Sequence, residues 1–126
     1  MKLLVTGSRN WTSRIIIQTA LECLWRDFPD GLNELHHGAC PYGGADTIAE
    51  EVWKEMFPSR PVYRHPANWK KFGKAAGPLR NEEMVKLLDP EIDRGIAFWK
   101  DASQGTANCI NFMRQYGIKY DLRRIS

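Results

Sequence analysis

Short apolar runs alternate with longer apolar stripes of helical period along the chain, and this alternation limits the fold more than any single motif. Leu3-Leu4-Val5 is a brief apolar run ended by Thr6-Gly-Ser-Arg9, the pattern of a buried parallel strand and its loop. A helix is expected from about Ser13, because Ile17, Leu21, Leu24 and Phe28 recur on one stripe before Pro29-Asp-Gly31 stops it. Glu34 to His37 is a weaker second strand, running into the glycine-containing loop His37 to Asp46. A second helix carries Ile48, Val52 and Met56 and ends before Pro58. Val62 to Arg64 is a third strand, broken by His65-Pro66. A polar loop, Ala67 to Ala76, leads to a helix bearing Met84, Val85, Leu87 and Leu88, which Asp89-Pro90 ends. Gly95 to Trp99 is the fourth strand, and Ser103 to Thr106 opens a helix with Ile110, Met113 and Tyr116. Gly117 caps that helix, and Ile118 to Leu122 is the last strand. Trp25, Trp53 and Phe112 are expected in the core.

Strands alternating with helices imply an α/β protein, a three-layer sandwich with a five-stranded, mostly parallel sheet and right-handed crossovers. At 126 residues, residues 1–126 form one domain. A chain of this size buries roughly two thirds of its unfolded surface, enough for its own core. A net charge of +3 leaves polyanion binding to a local patch rather than a global field. The three cysteines, Cys23, Cys40 and Cys109, have no paired spacing and suit a reduced, cytoplasmic setting better than a disulfide scaffold. No run reaches signal-peptide or membrane-spanning length, so no membrane partner is expected.

In parallel sheets ligands bind beyond the carboxyl ends of the strands, where strand order reverses, and every glycine-rich loop here falls at that end. Lys74-Ala-Ala-Gly-Pro-Leu-Arg-Asn-Glu-Glu-Met84 reads as a helix start, with Gly77 as N-cap, Pro78 first in the helix, Arg80 in the first turn, and Glu82 and Glu83 close behind. Unpaired N–H groups beside an arginine suit an anion such as phosphate. Thr6-Gly7-Ser8-Arg9 offers close backbone approach and two donors, or is a plain strand-to-helix turn. Gly38, Gly43 and Gly44 also allow close approach, and Asp46 either meets a ribose hydroxyl or caps the helix. His36, His37 and Cys40 match no standard zinc spacing, and neither metal nor cofactor is expected. Trp69 with Lys70, Lys71 and Lys74 either stacks a base and reaches phosphates, or forms a solvated lid. Ser103, Gly105 and Thr106 suit phosphate at a helix start, or are an ordinary cap.

Five segments, in order, resemble a known group: Val5-Thr-Gly-Ser-Arg-x-Trp11, His37-Gly-x-Cys-x-x-Gly-Gly-Ala-Asp46, His65-Pro-Ala-x-Trp69, Ala76-Gly-Pro-x-Arg-Asn-x-x-Met84 and Ser103-x-Gly-Thr106. Together, over residues 3–112, they resemble the YspA-type, YpsA-related branch of the SLOG superfamily, often seen in actinobacteria and their phages. The resemblance implies a Rossmann-like fold and a small-molecule ligand that is a nucleotide or nucleotide-derived, of the NAD, ADP-ribose or nucleoside monophosphate kind. It further implies a homo-oligomer, as a dimer; the same superfamily includes the "lonely guy" phosphoribohydrolases, which release a base from a nucleoside monophosphate, and the single-strand DNA-binding DprA proteins. Arg80 and Met84 match the Arg-Lys-x-x-Met motif of the phosphoribohydrolases, with Asn81 in place of lysine. Gly105-Thr106 matches their phosphate loop, but Cys109 stands where they carry a catalytic glutamate. A thiol is a poor substitute for a carboxylate beside an anomeric carbon.

The expected function is therefore ligand binding, as a sensor or in phage–host conflict or stress. The residues expected to bind are Gly7, Ser8, Arg9, Gly38, Gly43, Gly44, Asp46, Trp69, Gly77, Arg80, Asn81, Ser103, Gly105 and Thr106. N-glycosidic hydrolysis, with Asp46 or Glu82 as acid/base, is the alternative. Single-stranded nucleic acid is the least favoured partner, given the modest charge.

Overall fold

The computed structural model describes residues 1–125. The strands are β1 (Lys2–Gly7), β2 (Glu34–His37), β3 (Val62–Arg64), β4 (Arg94–Lys100) and β5 (Lys119–Ile125). The helices are α1 (Arg14–Asp27), α2 (Ala45–Met56), a single turn α3 (Trp69–Phe72), α4 (Ala76–Lys86) and α5 (Gln104–Gln115), with a 3-10 turn over Gly73–Ala75. The sheet order is β3-β2-β1-β4-β5, and every pairing is parallel. The fold is thus the α/β Rossmann-like sandwich.

Strand alternation builds both cores. Leu3 and Val5 face α1 and α2, where they pack with Ile17, Leu21, Trp53, Ile96 and Phe98. Leu4 points the other way, to Met84 and Val85 of α4 and Cys109, Ile110 and Met113 of α5. Because β1 is covered on both faces, its run is continuously apolar, as a central parallel strand requires. Burying each such large side chain contributes about 1.5–3 kcal/mol. No helix among the described residues is long and apolar enough to cross a membrane.

Some expectations change. Trp53 is fully buried, but Trp25 is 46% exposed and packs edge-on against Phe57, and Phe112 is half-buried. The stretch expected to be a polar loop is mostly helical, in α3 and the 3-10 turn. α4 starts at Ala76, with Ala75 as its cap residue, so Gly77 and Pro78 lie inside the first turn rather than opening it. Pro78 is tolerated there because the first N–H groups of a helix have no partner to lose. Arg80 is correspondingly a residue of the second turn. β5 runs to Ile125, beyond the Leu122 expected, because an edge strand with half its residues in water carries charges the apolar pattern misses.

Candidate functional site

Strand order reverses at β1: the chain moves from β1 outward to β2 and β3, then crosses to β4 and β5 on the other side. Beyond the carboxyl ends of the strands lies a cavity of about 1090 Å³, lined by the segments that follow β1, β2, β3 and β4. Small-molecule sites occupy about 300–1,000 Å³, and they favour this position in α/β sheets.

Most of the expected residues line it: Gly7, Ser8, Arg9, Gly38, Asp46, Trp69, Arg80, Asn81, Ser103, Gly105 and Thr106. Gly43, Gly44, Gly77 and Glu82 do not. Glu82 points elsewhere, its carboxylate accepting a 2.6 Å hydrogen bond from the Tyr116 hydroxyl, which takes it away from an acid/base role in this cavity. Asn10, Tyr42, Lys100 and Asp101, which no motif in the sequence marks, also line the cavity. Their one signal was position: Tyr42 sits within a glycine loop, and Lys100 and Asp101 directly follow the apolar run of β4.

The glycines divide by what surrounds them. A Cβ on Gly7 would stand 2.8 Å from the Phe98 carbonyl oxygen and against Ala45. One on Gly38 would strike the Arg80 guanidinium at 2.6 Å, and one on Gly44 the Arg9 backbone at 2.5 Å. These three are glycines because protein packs against them. Gly105 differs: a Cβ there meets nothing within 4 Å, although Gly105 lies in the first turn of α5 on the cavity wall. Ser103 caps that helix, its hydroxyl accepting from the Thr106 N–H at 3.4 Å and pairing with the Thr106 hydroxyl at 2.9 Å. The N–H groups of Gln104 and Gly105 remain the free donors of the turn, a natural anion seat.

Two expected phosphate donors are otherwise engaged. Ser8 is buried, and its hydroxyl donates to the Lys100 carbonyl at 3.2 Å and accepts from the Lys100 N–H at 2.8 Å. Arg80 donates to the carbonyl of Gly38 and, at 3.1 Å, to that of His65, while its Nε donates to Asn81 Oδ1 at 2.8 Å. It ties the loops after β2 and β3 together under the cavity. Asn81 in turn donates to Asn108 Oδ1 at 3.0 Å and to the Gly105 carbonyl at 3.4 Å, coupling α4 to the start of α5. The free backbone donors at the cavity are therefore those at the start of α5, while Arg80 of α4 is engaged by protein groups.

His36 and His37 face opposite sides of the sheet. His36 Nε2 meets Glu34 at 2.8 Å, and its Nδ1 meets His65 Nε2 at 2.8 Å. The Ala39 N–H donates to His37 Nδ1 at 3.0 Å, which fixes the Nε2–H tautomer, and that N–H is donated to Glu50 at 2.8 Å. Ala39 has a φ of 51°, so this bond helps hold a left-handed bend in the cavity loop. Among the described residues no three His, Cys, Asp or Glu side chains are grouped to hold a metal ion.

Asp46 is in the first turn of α2, whose cap residue is Gly44, so it is not the N-cap. It is 7% exposed, and burial pushes its carboxyl up from the usual range, while His37, Arg80 and the N–H groups of Cys40 and Gly38 pull partly back. Cys109, fully buried, has its thiol pushed up to about 11 by burial, so it stays protonated and is no nucleophile at neutral pH. At the rim, Tyr42 is 75% exposed with Arg9 over its ring, and Trp69 is 54% exposed.

No family model matches the chain, and no solved structure matches it. The chain is similar to the "Gene 61 protein" of Mycobacterium phage D29, with 38% identity over 121 residues, spanning 93% of this chain and 91% of that protein. At that identity over nearly the full length of both, the chain belongs to the same family as the phage D29 Gene 61 protein.

Proposed function

We propose that this protein binds a nucleotide or nucleotide-derived ligand, of the mononucleotide, ADP-ribose or NAD class, in the cavity at the carboxyl edge of its sheet. The observation that carries the reading is Gly105. It is a helical glycine that no packing demands, it borders the cavity, and it leaves room for an anionic group against the free N–H groups of α5. Exposed Trp69 and Tyr42 at the rim supply flat apolar faces for a base. The SLOG resemblance favours a sensing or sequestering role in phage–host conflict or stress, with the chain acting as a homodimer.

The decisive experiment combines thermal shift with release of free base, over a panel of mononucleotides, ADP-ribose, NAD and single-stranded DNA. The expected result is a thermal shift with mononucleotides or ADP-ribose and no base released. Arg80→Ala should lose that shift, because the loops after β2 and β3 lose their tie; unchanged affinity in that variant would sink the site assignment. A response to DNA alone, steeply weakened by salt, would move the reading to the exposed Lys70, Lys71 and Lys74 beside Trp69.

N-glycosidic hydrolysis is a second reading, favoured by Asp46, a buried carboxyl with a raised pKa on the cavity wall. Base release that disappears in Asp46→Asn would establish it.

A further inference from the structure

The carboxylate of Asp46 has unfinished hydrogen bonding. Oδ1 has no partner, and Oδ2 accepts one long bond, 3.4 Å, from the Cys40 N–H, with the Gly38 N–H also directed at the carboxyl. An ionised carboxylate has about four acceptor positions, and buried ones are almost always filled. The nearby side-chain donors are committed elsewhere. His37 gives its one N–H to Glu50. Arg80 is turned to the carbonyls of Gly38 and His65 and to Asn81. Helix capping does not explain the residue either, since Gly44 occupies the cap position and α2 has no side-chain cap. What the carboxylate lacks is a donor from outside the chain, and Asp46 borders the cavity.

Its position relative to Gly105 limits that donor's chemistry. Asp46 follows β2 and Gly105 follows β4, the two strands that flank β1. Both residues lie beyond the carboxyl ends of those strands and border the same cavity, so one ligand can meet both. Such a ligand carries an anionic group for the start of α5 and a hydroxyl donor for Asp46, as a phosphorylated sugar does.

We propose that Asp46 accepts a hydrogen bond from a sugar hydroxyl of the ligand, so that the site selects ribose-type ligands over their deoxy counterparts. This rests on the nucleotide-binding reading above and adds which sugar the site takes and which residue reads it. The anionic group sits at Gln104 and Gly105, the sugar hydroxyl at Asp46, and the base toward the rim. The deoxy ligand leaves the Asp46 acceptor unpaired, which is the more discriminating kind of loss.

The test is calorimetric titration of the native protein with AMP, GMP, CMP and UMP, with their 2′-deoxy and 3′-deoxy forms, and with ADP-ribose and its 2″-deoxy form. The expected result is that at least one deoxy form binds about tenfold or more weakly than its parent. In Asp46→Ala that ratio should fall to about one, with the ribose form weakened to the level of the deoxy form. Deoxy forms that all bind native protein within about threefold of their parents would overturn the proposal and leave nucleotide binding intact. So would an Asp46→Ala variant that keeps the full ribose preference. Failure of every compound to bind would overturn both readings. The native comparison needs no variant, so a misfolded Asp46→Ala would not protect the proposal.

Discussion

Ser8 and Lys100 are joined by two hydrogen bonds at the point where strand order reverses: the hydroxyl donates to the Lys100 carbonyl and accepts from the Lys100 N–H. The clip closes the end of β4 against the loop after β1, and Ser8 is buried. Ser8→Ala leaves two backbone groups without partners, at a cost of about 1–3 kcal/mol. Urea unfolding should show a lower midpoint with an unchanged slope. A midpoint equal to that of the native protein would mean that the hydroxyl is free to serve a ligand instead.

Gly105 sets stability against binding. It lies in the first turn of α5 with open space where a Cβ would go. Gly105→Ala should therefore stabilise the fold by up to about 1 kcal/mol through helix propensity alone. On the proposed reading the added methyl group crowds the ligand's anion at the start of α5, so ligand-induced thermal shift should shrink or vanish. Paired melting curves with and without nucleotide read both effects. A variant that is less stable and binds normally would remove the ligand-approach argument.

The sheet was legible because β1, β2 and β4 are buried runs between helix stripes, and because Gly7, Gly38 and Gly105 mark the strand ends or helix starts where loops turn. The placement of the site at the carboxyl edge followed from that order. What composition and spacing hid was the use of each group. Ser8 and Arg80 look like anion donors in sequence, yet their partners are backbone groups of Lys100, Gly38 and His65, distant in the chain. Gly44 and Gly105 are indistinguishable as letters; the backbone of Ser8 and Arg9 lies against Gly44, whose φ is 83°, while Gly105 has open space. Lys74 to Met84 supplies the cavity with the side chains of Arg80, Asn81 and Met84 rather than with a helix start. The shift follows from Ala76, which begins the helix two residues before Pro78.

Trp69 should report occupancy of the cavity. Trp11 and Trp53 are buried in the core, whereas Trp69 is 54% exposed and lines the cavity. A base stacked on it changes the ring's polarity and exposure, so saturating ligand should quench or shift tryptophan emission. Trp69→Phe should abolish the change while retaining measurable affinity, because a flat ring remains. A full signal in that variant would place the bound base elsewhere.

Glu50 gives the fold an acid-sensitive contact. Its hydrogen bonds to Arg64 contribute most, with His37 and Lys54 adding to them, and together they hold its carboxyl well below the ordinary 4.5. The unfolded chain then takes up a proton that the folded chain refuses, so the contact's stabilisation is present above about pH 4.5 and is lost as pH falls through and below that value. Melting temperature measured from pH 7 to pH 3 should fall less steeply for Glu50→Gln than for the native protein. Parallel curves would show that Glu50 is not the group responsible.

Asp46 has the opposite sign. Burial raises its folded pKa above the ordinary 3.8, so the folded chain holds this proton more tightly than the unfolded chain does. At pH 7 the group is ionised in the unfolded chain and penalised in the folded one, and the penalty fades as pH falls through the raised folded value toward 3.8. Asp46→Asn keeps the shape and removes the charge. It should melt at a higher temperature than native protein at pH 7, with the advantage narrowing as the solution is acidified. On the proposed reading, a carboxyl that burial penalises on the cavity wall serves what it binds rather than what it holds together. If Asp46→Asn instead melts lower at pH 7, the carboxylate has protein partners that its present hydrogen bonding does not include, and its role is structural.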